Sequence, residues 1–293
     1  MVKKYNDLYL EARRAFIPTE GVQRAGFLAR NLLDFVSGRA RATILSDRET
    51  YASQEVCDAM ESAVARILKG EPLAYVLGMW EFYGMELYVD HNVLIPRDDT
   101  VALAETAIKK ALFLDQDPRV LDLCTGSGCV GLAIANRVKD ARVTLADISR
   151  EALAVAKKNV GLQKLSGRVS CVQVDAMKQP PAFLGHFDMI VSNPPYVTTR
   201  EMEGLDASVK DFEPHLALWG GEDGLDFYRA ITANFKSCLK PGGYLAFEFG
   251  EDQGDAVCEI LTQNGFEIQQ RVRDYNDRER AVLARLREDI HHG

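Results

Sequence analysis

Between Tyr5 and Gly70 apolar residues recur at helical spacing, in one run through Phe27, Leu28, Leu32, Leu33 and Phe35 and in another through Val56, Met60, Val64, Ile67 and Leu68. Gly38 and Gly70 follow these runs, where helix C-terminal glycines belong. Residues 1–72 are therefore expected to form a small helical domain. From Tyr75 to Ile95 the pattern changes to aromatic and β-branched segments, Trp80-Glu81-Phe82-Tyr83 and Leu87-Tyr88-Val89, with Gly84 between them, which predicts a β-hairpin linker over 73–96.

Beyond Pro96 short apolar runs alternate with helical stretches, the pattern of a mostly parallel sheet with crossover helices. The expected strands are Arg119–Leu123, Arg142–Ala146, Val169–Val174, Phe187–Ser192, Tyr244–Phe249, Phe266–Arg271 and Ala281–Ala284. No helix-length segment separates the last two, so they should close the sheet as an antiparallel hairpin. Residues 97–293 thus read as one α/β domain with a Rossmann-like, seven-stranded, mostly parallel sheet.

The first strand of that domain runs through Asp122 into Cys124-Thr125-Gly126-Ser127-Gly128-Cys129-Val130-Gly131, with a helix expected from near Leu132. Glycines let backbone pass close to a ligand, and the helix's first amides face the same space. About 20 residues later Asp147 ends the second strand, where a carboxylate can accept both hydroxyl hydrogens of a ribose. Gly126-x-Gly128-x-x-Gly131 with a downstream acid also matches the dinucleotide fingerprint, so an NAD-dependent dehydrogenase competes with a methyltransferase. Against the dehydrogenase, the chain has no Tyr-x-x-x-Lys pair, and its five histidines lack an acid–base pattern. For the methyltransferase, Asp122 can orient both the loop and the amino-acid portion of the ligand.

A second loop stands about 65 residues further on, where the strand Phe187–Ser192 ends in Asn193-Pro194-Pro195-Tyr196. The prolines stop the ladder and stiffen the backbone. In a doubly wound sheet this loop and the glycine loop line opposite sides of one crevice at the topological switch point. A planar amide is a poor nucleophile because its nitrogen lone pair is delocalised, and a site that activates it must hold it by acceptors. Asn193 Oδ1 and the Pro194 carbonyl can each accept one N–H, which aims the nitrogen at a methyl donor, while Tyr196 flanks the flat group. A turn in which Asn193 merely caps backbone is the alternative.

The net charge of −8 gives no general attraction to phosphate backbones, which points to a protein or small-molecule partner and away from nucleic acid. Six scattered cysteines form no C-x-x-C pair and read as buried thiols in a reducing compartment, with no metal site. No apolar run approaches the roughly 18 residues that span a bilayer, and the polar N-terminus supports a cytoplasmic protein that does not meet a membrane.

From about Gly70 to the end the chain resembles the release-factor glutamine methyltransferases, the HemK/PrmC family. The resemblance rests on Gly70-Glu71-Pro72-Leu73-Ala74-Tyr75, Glu81-Phe82-Tyr83-Gly84, Val93-Leu94-Ile95-Pro96-Arg97, the glycine loop, Asn193-Pro194-Pro195-Tyr196, Phe212–Leu218 and Gly220–Asp226. It implies a class I methyltransferase fold that uses S-adenosylmethionine, yields S-adenosylhomocysteine and needs no metal. It also implies that Cys124, Thr125, Gly126, Ser127 and Gly128 contact the cofactor, Asp147 holds its ribose, Asp175 and Ala176 lie beside its adenine, and Asn193 meets its reacting end. Asn193, Pro194, Pro195 and Tyr196 would hold the glutamine of a release factor's Gly-Gly-Gln loop, with the N-terminal helices touching the rest of that partner. A ribosomal-protein glutamine methyltransferase, a nucleic-acid amino methyltransferase and a non-catalytic nucleoside-binding protein are the rivals.

The chain departs from the family at three places. Cys124 replaces a usual glycine, so either positive φ is not needed there or the loop is reshaped. Arg97-Asp98-Asp99-Thr100-Val101 lacks the family's proline and acid, and Arg273–Arg280 matches its C-terminal loop only loosely. Arg271 to Arg280 are expected to form a solvated turn, Glu248 either faces the cleft or is an exposed strand end, Cys129 reads as a small buried hydrophobe, and the linker aromatics are expected at a domain interface.

Overall fold

The computed structural model describes residues 2–39, 41–114 and 116–288. They form two compact units, one running to Gly78 and including Ala207–Phe212, the other comprising Met79–Asp206 and the residues from Glu213 on.

The first unit is helical. Helix α1 (Tyr5–Ser37) bends at Gly21, just after Pro18, and is followed by α2 (Arg41–Ser46), α3 (Gln54–Leu68) and α4 (Leu73–Leu77). Leu28 and Leu32 stand four apart and are buried, with Phe16, against Met60 and Ile67 of α3. Phe27 and Phe35 fall on the neighbouring row of α1 and are 55% and 49% exposed, so the apolar run read from the sequence splits between core and surface. Ser53 caps α3 by accepting a hydrogen bond from Val56 N at 3.3 Å.

The second unit opens with a hairpin, β1 (Met79–Phe82) and β2 (Met85–Tyr88), turned by Tyr83 and Gly84, both at positive φ. Phe82, Met85 and Leu87 are buried in this unit's own core, so Phe82 packs there and not at a domain interface. The remaining elements are α5 (Val101–Ala111), β3 (Arg119–Leu123), α6 (Cys129–Arg137), β4 (Arg142–Asp147), α7 (Arg150–Leu162), β5 (Val169–Gln173) and β6 (Phe187–Ser192). After the short helices α8 (Thr199–Glu203) and α9 (Ala207–Lys210, in the helical unit) come α10 (Asp226–Phe235), β7 (Leu239–Glu248), α11 (Gly254–Gln263), β8 (Phe266–Arg273) and β9 (Glu279–Leu286).

Among the described residues the main sheet has the order β5-β4-β3-β6-β7-β9-β8, with β9 antiparallel to both neighbours and the other pairs parallel. This is the expected seven-stranded α/β sheet. Residues alternate between its faces: Val120 joins the cluster with Leu103, Ile134 and Met189, and Leu121 and Leu123 join that of Tyr228, Phe235 and Phe247. Strand β7 begins five residues before Tyr244, because Phe187 pairs with Leu239 and Met189 with Tyr244 while the Pro241-Gly242-Gly243 segment loops out. The chain order reverses between β3 and β6, so their C-terminal ends flank the switch point.

Candidate functional site

Beyond β3 the glycine loop is held by a carboxylate beneath it. Asp122 is 2% exposed, and its Oδ2 accepts hydrogen bonds from Thr125 Oγ1 at 2.6 Å and Gly131 N at 2.9 Å. Burial pushes its pKa up to about 7, against the pull of those two donors. A carbon added at Gly131 would lie 2.3 Å from Leu145 Cδ2, so only glycine lets α6 approach β3 and β4 this closely. The helix starts at Cys129, three residues before Leu132, because Gly128 takes φ 85° and its N–H donates to Thr125 O at 2.8 Å.

Cys124 does hold a positive φ of 57°. The expectation that cysteine here removes that need is corrected: Thr125 N donates to Ala146 O at 3.1 Å, extending the β3–β4 ladder past Cys124 and leaving the turn to that residue. Burial is also what raises the Cys124 thiol and pushes the Cys129 thiol up to about 12, which suits packing groups and not nucleophiles.

Asp147 closes the other side of the loop, with Oδ2 accepting from Gly126 N at 2.9 Å and Oδ1 from Ser149 N at 3.0 Å. Burial raises its pKa, while the amides of Ser149 and Gly126 lower it. Each oxygen keeps a further lone pair for a ligand hydroxyl. A cavity of about 280 Å³ opens here, with Cys124, Gly126 and Asp147 on one wall and Ile148, Ala176 and Met177 on another. Carboxylates at Asp147 and Asp175 beside apolar surface suit a nucleoside, with hydroxyls at one end and a flat base at the other. Two larger hollows of about 440 Å³ in the helical unit are lined by neither a glycine loop nor a strand-end carboxylate.

The second loop meets the first directly. Leu123 pairs with Ser192, whose Oγ donates to Leu123 O at 2.8 Å. Pro194 and Pro195 are buried, and Pro195 lines the cavity. Gln253 Nε2 donates to Tyr196 O at 3.0 Å, while a carbon at Gly220 would sit 2.6 Å from Pro195 O, so the segment after Trp219 packs backbone to backbone against the tetrapeptide. Asn193 is half-buried, and its Nδ2 donates to Thr100 Oγ1 at 3.3 Å.

Behind Asn193 lies Glu248, 1% exposed, whose Oε2 has no hydrogen-bond partner among the described residues. It is not an exposed strand end. Burial pushes its pKa up to about 7, and Thr100, Arg280 and Asn193 pull it down. Arg280 is 6% exposed and pairs with Asp99 at 3.2 Å and Asp274 at 3.3 Å. The solvated turn expected over Arg271 to Arg280 is thus corrected at Asp274 and Arg280, which are folded inward. Arg97 pairs instead with the buried Glu213, whose Oε2 also accepts from Ile95 N at 3.1 Å.

The structure therefore brings Cys124, Gly126, Asp147, Asp175, Ala176 and Pro195 around one cavity, with Asn193 at the end of the adjoining strand. The Thr125 hydroxyl turns toward Asp122, and Ser127 is buried with its carbonyl accepting from Asn159 Nδ2 at 2.9 Å. Sequence reading missed Thr100, Asn159 and Gln253, which sit on otherwise ordinary helices or helix ends; an amide or hydroxyl at a position predicted to be buried was the available signal.

Residues 99–210 match the methyltransferase small domain and residues 9–78 the PrmC N-terminal domain. A methyltransferase structure from Pyrococcus furiosus, 18% identical, shares the fold with a TM-score of 0.50 over 78% of this chain and 99% of that one. The release factor glutamine methyltransferase of Clostridium acetobutylicum is 39% identical over 86% of this chain and 88% of its own length. That of Geobacter sulfurreducens is 35% identical over 94% of this chain and 95% of its own. With both domains matched and identity at this level along nearly the whole chain, the protein belongs to the release factor glutamine methyltransferase family.

Proposed function

We propose that this chain methylates the side-chain amide nitrogen, N5, of the glutamine in the Gly-Gly-Gln motif of peptide-chain release factors, with S-adenosylmethionine as donor, S-adenosylhomocysteine as product and no metal. The observation that carries the reading is the placement of Asn193 and the Pro194 backbone at the end of β6, beside the cavity bounded by Asp147. When bound, S-adenosylmethionine supplies an electrophilic methyl group on a sulfonium.

Asp147 has free lone pairs for the ribose hydroxyls, Asp175 and Ala176 border the base, and Cys124 and Gly126 form the floor. Asn193 Oδ1 and Pro194 O each accept one N–H of the target amide, and Tyr196 stands against its plane. Held this way, the amide nitrogen would face the methyl group that the bound donor supplies, and the proton it sheds on transfer would leave to water. Burial raises the Tyr196 phenol, so the ring serves as a neutral wall and not as a base. Positioning supplies most of the rate.

The N-terminal unit contributes recognition of the release factor, and the protein acts in the cytoplasm; no helix among the described residues is long and apolar enough to cross a membrane. The net charge of −8 weighs against the nucleic-acid amine reading. The test is incubation with methyl-labelled S-adenosylmethionine and a purified release factor, followed by mapping of the label. Label on the Gly-Gly-Gln glutamine, lost in an Asn193→Ala variant by about a hundredfold or more, is expected. Label on another residue, or on RNA, would end this reading.

A further inference from the structure

Asn193 can serve as an acceptor only if Oδ1, and not Nδ2, faces the incoming amide. Nothing in the asparagine itself decides this, since the two ends of the amide group have the same shape. The decision lies with what stands behind it. Nδ2 donates to Thr100 Oγ1 at 3.3 Å, and both Thr100 and Asn193 adjoin the Glu248 carboxylate. Thr100 and Glu248 are 2% and 1% exposed, so bulk solvent does not reach these positions. Burying a carboxylate with one oxygen, Oε2, unpartnered is costly, and the fold gains no stability from it.

We propose that Glu248, with Thr100, is a positioning residue for methyl transfer: its ionised carboxylate sets the Thr100 hydroxyl as an acceptor for Asn193 Nδ2 and so turns Oδ1 toward the acceptor amide. The proposal rests on the reading of Asn193 given above. An ionised carboxylate can only accept hydrogen bonds. The flipped asparagine would set Oδ1 against that charge, whereas a protonated Glu248 could donate to Oδ1 and admit the flipped form. The same negative charge lies behind the nitrogen as it gains positive charge from the sulfonium, which favours the transition state over the ground state.

The charged and titratable groups around Glu248 are consistent with a carboxylate poised between its two states. Arg280 draws it toward the ionised form and Asp99 opposes this. Tyr196, Tyr228 and Cys129, which also feel its charge, are raised by burial and stay neutral. With burial holding Glu248 at about 7, the competent form grows as pH rises through neutrality.

The experiment uses the full chain and the variants Glu248→Gln, Thr100→Val and Asn193→Ala. Steady-state kinetics with intact release factor are followed from about pH 5.5 to about pH 9, alongside calorimetry with S-adenosylhomocysteine. The side-chain amide signals of Asn193 are recorded by nitrogen-15 NMR in the ligand-free parent. Glu248→Gln is expected to lower kcat by about tenfold or more, to leave KM and S-adenosylhomocysteine affinity within about twofold, and to flatten the rise of kcat near neutrality. Thr100→Val should lose less, and the parent's Asn193 signals should shift with a midpoint near pH 7. Parent-like kcat and pH profile in Glu248→Gln, with Asn193→Ala inactive, would overturn this inference and leave the reading of Asn193 intact. An active Asn193→Ala would instead remove that reading. Equal losses of kcat and S-adenosylhomocysteine affinity would reduce Glu248 to scaffolding. Should Glu248→Gln not fold, Asn193 signals that stay fixed through neutral pH in the parent overturn the proposal by themselves.

Discussion

Replacing Gly131 by alanine tests the close approach of α6 to the sheet, on which the glycine loop depends. The added carbon would lie 2.3 Å from Leu145 Cδ2, 2.9 Å from Asp122 Oδ2 and 3.1 Å from Asp122 Cβ. Ordinary carbon contacts are about 3.5–4.0 Å, so the helix must retreat by about 1 Å or more. Leu145 is fully buried and has no room to swing aside. Overpacking of this kind costs ~1–3 kcal/mol. The retreat also stretches the 2.9 Å bond from Gly131 N to Asp122, and a hydrogen bond to a charged group is worth ~1.5–3 kcal/mol. Alanine returns ~1 kcal/mol through better helix propensity, leaving a net loss of roughly 1.5–5 kcal/mol. For a chain of this size that lowers Tm by on the order of 2–8 °C in calorimetry. Gly161→Ala is the control, since Gly161 lies within α7 with nothing within 4 Å of the added carbon; it should gain ~0.5–1 kcal/mol. If Gly131→Ala melted within a degree or so of the parent, the packing account of the loop would be wrong.

Asp147→Ala should weaken S-adenosylhomocysteine binding by ~1.5–3 kcal/mol, the worth of a hydrogen bond to a charged group, as measured by calorimetry, and an unchanged Kd would remove Asp147 from the site. Cys124→Gly should stabilise the protein by up to ~1 kcal/mol in urea unfolding, because glycine relieves the left-handed φ of 57° at a small entropic cost. A loss of stability there would mean that thiol packing outweighs the strain. Folding stability should also carry a pH signature from Glu248. Its folded pKa of about 7 exceeds the usual 4.5, so between those values the folded chain holds a proton that the unfolded chain has released, and stability falls as pH rises through that window. At ~1.4 kcal/mol per pH unit the contribution is on the order of 3 kcal/mol. The difference in unfolding midpoint between parent and Glu248→Gln should therefore move by about that amount from pH 4.5 to pH 7 and stay level above it, and a difference independent of pH would contradict the burial cost assigned to Glu248.

Much of this molecule was legible along the chain because periodicity and chain-stopping residues act locally. Strands Arg119–Leu123 and Phe187–Ser192 form with the expected bounds, since short runs of mostly apolar residues lead into a glycine turn in one case and into two prolines in the other. Asp147 stands at the end of its strand, and the last two strands pair antiparallel, as the short gap between them required. What surrounds those loops was decided by tertiary structure. Thr100 reaches Asn193 across 93 positions, and Asn159 joins the carbonyls of Tyr88 and Ser127 from a helix whose own pattern shows only a buried face. Glu248 could be read as exposed until the pairing of β7 with both β6 and β9 enclosed it, and Arg280 looked like part of a charged turn until it met Asp99 and Asp274. Cys124 takes its left-handed turn because the neighbouring strand's Ala146 carbonyl receives the next amide, a partner set by register. Hydrophobic period tells a residue which face it occupies, but the group it meets there depends on strand order and register, which are fixed only when distant segments close on one another.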